Sequence, residues 1–345
     1  MKAREILQSW GKVFLGKTPI LSIEITRECP LNCPGCYAYG ASHLGGEVTL
    51  RDMAEARGDA LVAGVLDLVR RHRPVLVSLI GGEPLMRHRE LRRILPELGR
   101  MGVHTTVVTS GVIPIPPEWN RIPRVKIVVS VDGLPADHDR RRHPATYDRI
   151  LKNIAGRRVD IGWVVTQEMM ERPGYLDDYL AFWESRPEAE RIILSIYTPQ
   201  TGENSTEMLT PASRESLVRQ LPELKRRHPR LVMREGIAAA LARPPASPEE
   251  CTFSLMSVNY SADLRTRVEP CVFGGNPDCS QCGCAATALV QWVGSMKLIG
   301  PLRASHLMRG SVAVGSVVNR LRRAASRPRW ERWNGRRRPQ DTAVR

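Results

Sequence analysis

The 345 residues carry 42% apolar and 25% charged side chains, enough to bury a large core, which excludes a disordered chain and a minimal disulfide-stapled one. The net charge is +15, yet residues 320–345 hold ten Arg against Glu331 and Asp341, leaving 41 basic and 34 acidic residues, or +7, on the body. A basic tail on a nearly balanced body argues against a nucleic-acid-binding face.

The opening stretch MKAREILQSWGKVFLGKTPI has no apolar run long enough for a signal peptide or a spanning helix, and the chain is expected to be cytoplasmic. In a reducing compartment eight cysteines point to metal binding or catalysis rather than to disulfides. They fall into two groups, Cys29, Cys33 and Cys36, then Cys251, Cys271, Cys279, Cys282 and Cys284, with none between 37 and 250. Two groups of soft ligands imply two sites.

In chain order, ILSIEIT (20–26), PVLVSLI (74–80), HTTVVTS (104–110), VKIVVSV (125–131), VDIGWVVT (159–166) and RIILSIY (191–197) read as strands. Between them DALVAGVLDLVRRH (59–72), RELRRILPELGRMG (89–102), TYDRILKNIAG (146–156) and YLDDYLAFWESR (175–186) place apolar residues at helical spacing. Strands buried on both faces and separated by helices call for a parallel sheet with right-handed crossovers, an α/β partial (β/α)6 TIM-like barrel. Active groups then belong at the C-terminal strand ends. Cys29 to Cys36, GGEP (81–84), TSG (109–111), SVDG (130–133) and Thr166 all fall there. Trp163 faces the barrel interior or the helix layer with equal odds by period-two alternation. His138, Asp139 and Arg142 read as a polar helix start, and Tyr197 as a substrate contact.

A structural zinc site is normally closed by four protein ligands, and His43 is the only nearby candidate to complete the first cysteine group. Three cysteines on one loop instead suit a [4Fe–4S] cluster whose fourth iron is open to a small molecule. The stretch CPLNCPGC with GGEP at the second strand resembles the radical S-adenosylmethionine (SAM) superfamily over residues 20 to about 200. The resemblance implies that Cys29, Cys33 and Cys36 ligate three irons while SAM chelates the fourth through its amino and carboxylate groups. It also implies that Gly81, Gly82 and Glu83 line the methionyl amino group, that Ser130 and Asp132 lie near the ribose and carboxylate, and that Thr166 belongs to the same cofactor site. The family carries an aromatic residue just before the third cysteine. Here that position is Gly35, and Tyr37 is the aromatic residue expected to stand in for it.

The second group sits in VEPCVFGGNPDCSQCGC, after SVNYSADLRTRVEPC (257–271), which reads as a strand, an Ala-Asp turn and a second strand. A zinc ribbon is the plain alternative. The arrangement is similar to the Twitch and SPASM extensions of radical SAM enzymes, which implies a second, auxiliary [4Fe–4S] cluster on Cys251, Cys271, Cys279 and Cys282. Cys284 is then spare, although Cys282 and Cys284 could exchange roles.

The expected layout is an N-terminal extension (1–19), the partial barrel (20–242), a small cysteine-rich C-terminal module (251–290), a helical segment (291–319) and a disordered arginine-rich tail (320–345). The helical segment packs back on the barrel or lies at an anionic membrane surface, which would make the protein peripheral at the inner face. By resemblance the chain is an oxidoreductase-type enzyme that cleaves SAM to a 5′-deoxyadenosyl radical and abstracts hydrogen from a peptide or protein. It would draw electrons from a flavodoxin or ferredoxin. The alternatives are the same chemistry on a lipid or small-molecule intermediate and, in another class, a zinc-dependent nucleic-acid-binding protein. The sequence names no catalytic side chain beyond the cofactor sites.

Overall fold

The computed structural model describes residues 18–40, 43–144 and 147–326. Most of the N-terminal extension and residues 327–345 of the tail therefore lie outside the described residues.

Six parallel strands, β1 (Ile20–Glu24), β2 (Leu76–Ile80), β3 (His104–Thr109), β4 (Val125–Ser130), β5 (Val159–Val165) and β6 (Ala189–Ile196), follow one another in the sheet in chain order. A seventh, β7 (Ser257–Tyr260), lies on the far side of β1 and runs parallel to it, Ile20 opposite Ser257. The sheet ends at β6 and β7 without closing, so the architecture is a partial, open barrel. In β1 Leu21 and Ile23 are fully buried, and so are Ser22 and Glu24 on the opposite face, because the strand is covered on both sides.

Helices α1 (Gly58–His72) and α2 (His88–Arg100) cover the outer face together. In α1 the buried residues Leu61, Val62, Val65, Leu66, Leu68 and Val69 make one apolar stripe. Its end is marked by Arg70, Arg71 and His72 in the last turn and by Arg73 at φ 49°, just before Pro74. Next come α3 (Pro135–Arg141), α4 (Tyr147–Ile154) and α5 (Tyr175–Glu184). Trp163 is buried with its ring stacked at 4.0 Å on Tyr179 of α5, which places it in the helix layer.

Two expectations shift. Strand six begins at Ala189, earlier than its apolar run, because an edge strand can carry Glu190 and Arg191 when Lys126, Arg158 and Asp160 pair with them. The hairpin expected after residue 257 is a strand of the main sheet on its first arm, while its second arm is a short antiparallel return that bridges Tyr260 to Arg267, with Ser261 N–H donating to Thr266 at 2.9 Å and Val268 N–H to Asn259 at 3.0 Å. Asp263 makes the turn, its carboxylate accepting the N–H groups of Arg265 at 2.9 Å and Thr266 at 2.8 Å.

The chain then runs through α6 (Pro211–Arg227), α7 (Glu235–Ala242), α8 (Ala285–Ser295), a hairpin of β8 (Lys297–Ile299) and β9 (Leu302–Arg303), and α9 (Ala304–Ser326). Helix α8 packs on α7 so closely that a Cβ on Gly236 would stand 1.8 Å from the Trp292 ring. Helix α9 continues to Ser326, so residues 320–326 of the expected tail are helical. Among the described residues no helix is long and apolar enough to cross a membrane.

Candidate active site

The loop leaving β1 and the loop leaving β2 continue the strand pairing beyond the sheet. Ile25 N–H donates to the Ile80 carbonyl at 2.9 Å, Gly82 N–H to Thr26 at 2.8 Å and Glu83 N–H to Glu28 at 2.7 Å. Such close approach needs glycine. A Cβ on Gly82 would lie 2.2 Å from the Glu28 carbonyl oxygen, and Gly81 holds φ 126° with its missing Cβ 2.7 Å from Thr26 O. Gly81 and Gly82 thus press directly against the backbone that presents Cys29.

Cys29, Cys33 and Cys36 are all half-buried, and Cys36 N–H turns back on the Cys33 carbonyl at 3.3 Å. Burial pushes the Cys29 thiol up to about 11 and also raises Cys33, which the Arg142 guanidinium partly offsets. Thiols raised in this way, as Cys29 and Cys33 are, give up their protons more readily beside added positive charge, which an iron–sulfur core supplies. Among the described residues no three His, Cys, Asp or Glu side chains gather closely enough for a single metal ion. Three thiols on one loop are a donor set that a [4Fe–4S] cluster takes, its fourth iron left to a small molecule.

Glu83 is buried, and its carboxylate is fully engaged. One oxygen accepts Leu85 N–H at 2.9 Å and the Thr109 hydroxyl at 2.6 Å; the other accepts Ser110 N–H at 2.7 Å and the Ser110 hydroxyl at 2.6 Å. Its side chain therefore ties the β2 loop to the end of β3. Replacing Glu83 by Ala strands four buried donors and is expected to cost about 3 kcal/mol, whereas Gln, which keeps an acceptor oxygen, costs less. Thermal unfolding of the two variants measures the difference, and equal melting points would show that the carboxylate does not hold the loops.

Asp132 is likewise buried. It accepts Val164 N–H at 3.1 Å and Arg142 Nε at 2.7 Å and pairs with Arg141, while its own N–H donates to His138 Nδ1 at 3.1 Å. Asp132 thus aims two guanidinium groups: Arg142 acts on Cys33, and Arg141 reaches Glu207 at 2.6 Å. The loop carrying them also touches the cysteine loop, where Asn32 N–H donates to the His143 carbonyl at 2.6 Å. The run of three Arg at 140–142 was the available signal for these groups.

A cavity of about 980 Å³ opens beside this loop, lined by Pro34, Gly35, Arg141, Thr166, Tyr197 and Glu207 among others. It lies at the large end of ligand sites and has room for two small molecules or for one and part of a polymer. Gly35 sits at φ 65°, and a Cβ there would stand 3.2 Å from the Tyr197 hydroxyl, so Tyr197 from the end of β6 crowds the position where the family has an aromatic residue. Thr166 and Tyr197 line the cavity; Cys29, Cys33, Cys36 and Gly81 to Glu83 do not, and Ser130 and Asp132 lie at and just past the end of β4, behind Arg141.

Tyr37 does not line that cavity. Its ring stands edge-on to Phe273 at 5.4 Å and 5.7 Å from His43, between the two cysteine groups. His43 bonds the buried Glu24 carboxylate at 2.7 Å and the Phe273 carbonyl at 2.8 Å, and the Ser261 hydroxyl donates to Glu24 at 2.8 Å. This buried joint fastens the cysteine-rich loop to β1.

Four thiols of the second group, Cys251, Cys271, Cys279 and Cys282, line one small cavity. Burial pushes Cys279 up to about 11 and Cys282 to about 12 and raises Cys271 further. Cys284 caps α8 and faces Cys282, Cys271 and Cys251 electrostatically without lining that cavity. The loop is stitched to the end of β6, with Gly283 accepting Ile196 N–H at 2.8 Å and Arg214 donating to the carbonyls of Gln281 at 2.6 Å and Cys282 at 3.2 Å.

Comparison with known proteins follows the same outline. Residues 23–181 match the radical SAM superfamily. The chain is 30% identical over 107 residues to the 7-carboxy-7-deazaguanine synthase of Hyperthermus butylicus, which covers 31% of this chain and 41% of that protein. It superposes on Streptococcus suis SuiB bound to precursor peptide SuiA with TM-score 0.53 and 16% identity, covering 75% of this chain and 61% of the other. On anSMEcpe with bound AdoMet and Cp18Cys peptide the TM-score is 0.54 at 12% identity, covering 88% and 99%. The chain thus spans less than two thirds of the synthase and of SuiB, and the two superpositions establish a shared fold.

Proposed function

We propose that this chain, which belongs to the radical SAM superfamily through residues 23–181, reductively cleaves SAM and uses the resulting radical to abstract hydrogen from a peptide or protein. The observation that carries the reading is the thiol loop zipped onto the Gly81–Gly82 loop, with Pro34 and Gly35 of the thiol loop forming one wall of the cavity of about 980 Å³ beside it. Cys29, Cys33 and Cys36 would hold a [4Fe–4S] cluster, which would supply the single electron that reductive cleavage of the sulfonium to methionine and a 5′-deoxyadenosyl radical requires.

The protein's own residues supply position and charge. Gly81 and Gly82 let the β2 loop lie against the backbone leading to Cys29, where its carbonyls would meet the methionyl amino group, and Arg142, held by Asp132 beside Cys33, would offer a cation to the carboxylate. The cavity walls from Thr166 to Tyr197 restrict water around the radical. A peptide substrate is supported by SuiB and anSMEcpe, each solved with a peptide bound. A flavodoxin- or ferredoxin-type donor would supply the electron. Anaerobic protein given reductant and SAM should release 5′-deoxyadenosine; its absence with full iron loading would overturn the proposal.

The second thiol group is assigned to an auxiliary [4Fe–4S] cluster on Cys251, Cys271, Cys279 and Cys282, supported by the cavity that these four line. Replacing Cys29, Cys33 and Cys36 together by Ala should leave roughly four irons bound, since four other thiols suffice for a cluster. Iron near zero, or zinc in its place, would refute the assignment.

A further inference from the structure

Ten large apolar side chains are exposed among the described residues, and seven of them lie between Leu289 and Val317. Their focus is the β8–β9 hairpin, which turns at Gly300 and Pro301 with every residue exposed: Met296 at 40%, Leu298 at 44%, Ile299 at 81% and Leu302 at 38%. A two-stranded hairpin is marginal in water on its own, and this one projects its largest apolar groups from its tip. Along the chain, charge on this stretch has one sign. No Asp or Glu occurs from Cys279 to Trp330, while Lys297 and Arg303 sit in the hairpin strands and Arg309 follows on α9. Arg303 and Arg309 donate to the carbonyls of Ser295 and Glu250, and among the described residues no carboxylate pairs with either of them or with Lys297.

We infer that the β8–β9 hairpin docks the protein on an anionic phospholipid bilayer, Leu298 and Ile299 entering the interface while Lys297, Arg303 and Arg309 meet the headgroups. The charge pattern selects this partner. A symmetric contact with a second copy would set Lys297 and Arg303 against their own equivalents, whereas anionic headgroups neutralise both. With no spanning helix among the described residues, the attachment is peripheral and salt-sensitive.

The test is co-sedimentation of the full chain with phosphatidylcholine vesicles with and without about 30% phosphatidylglycerol. Wild-type protein should pellet only with the anionic vesicles and release as salt rises. Leu298→Ser with Ile299→Ser, and separately Lys297→Glu with Arg303→Glu, should each weaken binding at least about tenfold. Iron content and 5′-deoxyadenosine formation should stay unchanged, which separates this inference from the proposed chemistry. Absence of pelleting at low salt would overturn it, as would wild-type binding by either double variant. A wild-type dimer in light scattering that the Ser pair dissociates would assign the face to a second copy instead. The salt series on wild-type protein decides the matter even where a variant fails to fold.

Discussion

Cys33→Ala is expected to abolish 5′-deoxyadenosine release while leaving the protein folded. Cys33 is half-buried on a rim loop rather than central in the sheet, so removing its sulfur costs about 1 kcal/mol of packing, well within the stability of a domain this size. The chemical loss is of another order. With Cys29 and Cys36 alone the loop offers two thiolates, and a cluster that already relies on an open iron cannot be held productively by two. Iron should fall by about one cluster, with the second thiol group still loaded. Cleavage at wild-type rate in this variant would remove the radical assignment altogether, since no other described loop joins three cysteines to the glycine pair. Loss of both iron pools together would instead show that the two sites assemble as one unit through Tyr37 and the His43 joint.

The barrel was legible because burial on both faces writes strands as β-branched runs, and helix stripes such as Leu61 to Val69 keep a clean period between them. The cysteine spacing and the glycine pair were legible as motifs, and the close approach of Gly82 to the Glu28 carbonyl gives the motif its physical reason. Partnership across the chain was not legible. Ser257 to Tyr260 is too short to announce that it pairs with β1, and no local pattern relates His43 to Phe273, 230 residues away. Side chains that act through other side chains were also hidden. Glu83 and Asp132 read as lining the cofactor; the sequence did not show that the Glu83 carboxylate accepts four donors or that Asp132 holds two guanidinium groups, which lets each position its neighbours as well. Arg142 read, with His138 and Asp139, as a polar helix start, and Arg141, which lines the cavity, carried no signal beyond the run of three Arg.

The hold on two guanidinium groups makes Asp132 the position where stability and cofactor affinity should fall together. Burial alone would push its carboxyl up, but the charges of Arg142 and Arg141 outweigh burial and hold it down at about 2. A depressed carboxyl contributes stability that is fully present above its unfolded value of about 4 and is lost as pH falls through about 2; the difference is worth about 2 kcal/mol. Wild-type stability should therefore decline between pH 4 and pH 2 more steeply than that of Asp132→Asn, whose amide does not titrate. Asp132→Ala should cost about 3–5 kcal/mol at neutral pH, because Arg142 loses its counter-ion in a buried setting while Arg141 keeps Glu207. Denaturant titration measures both effects. Arg142 is aimed at Cys33 by Asp132, so Asp132→Asn should also weaken SAM binding at least about tenfold, the equivalent of one charge-assisted hydrogen bond. Arg142→Lys should restore less than half of any loss produced by Arg142→Ala, since one ammonium cannot bond Asp132 and a second carboxylate in the same planar geometry. An Asp132→Asn protein with full SAM affinity but reduced stability would confine Asp132 to the fold and leave the carboxylate of SAM to another cation on this rim.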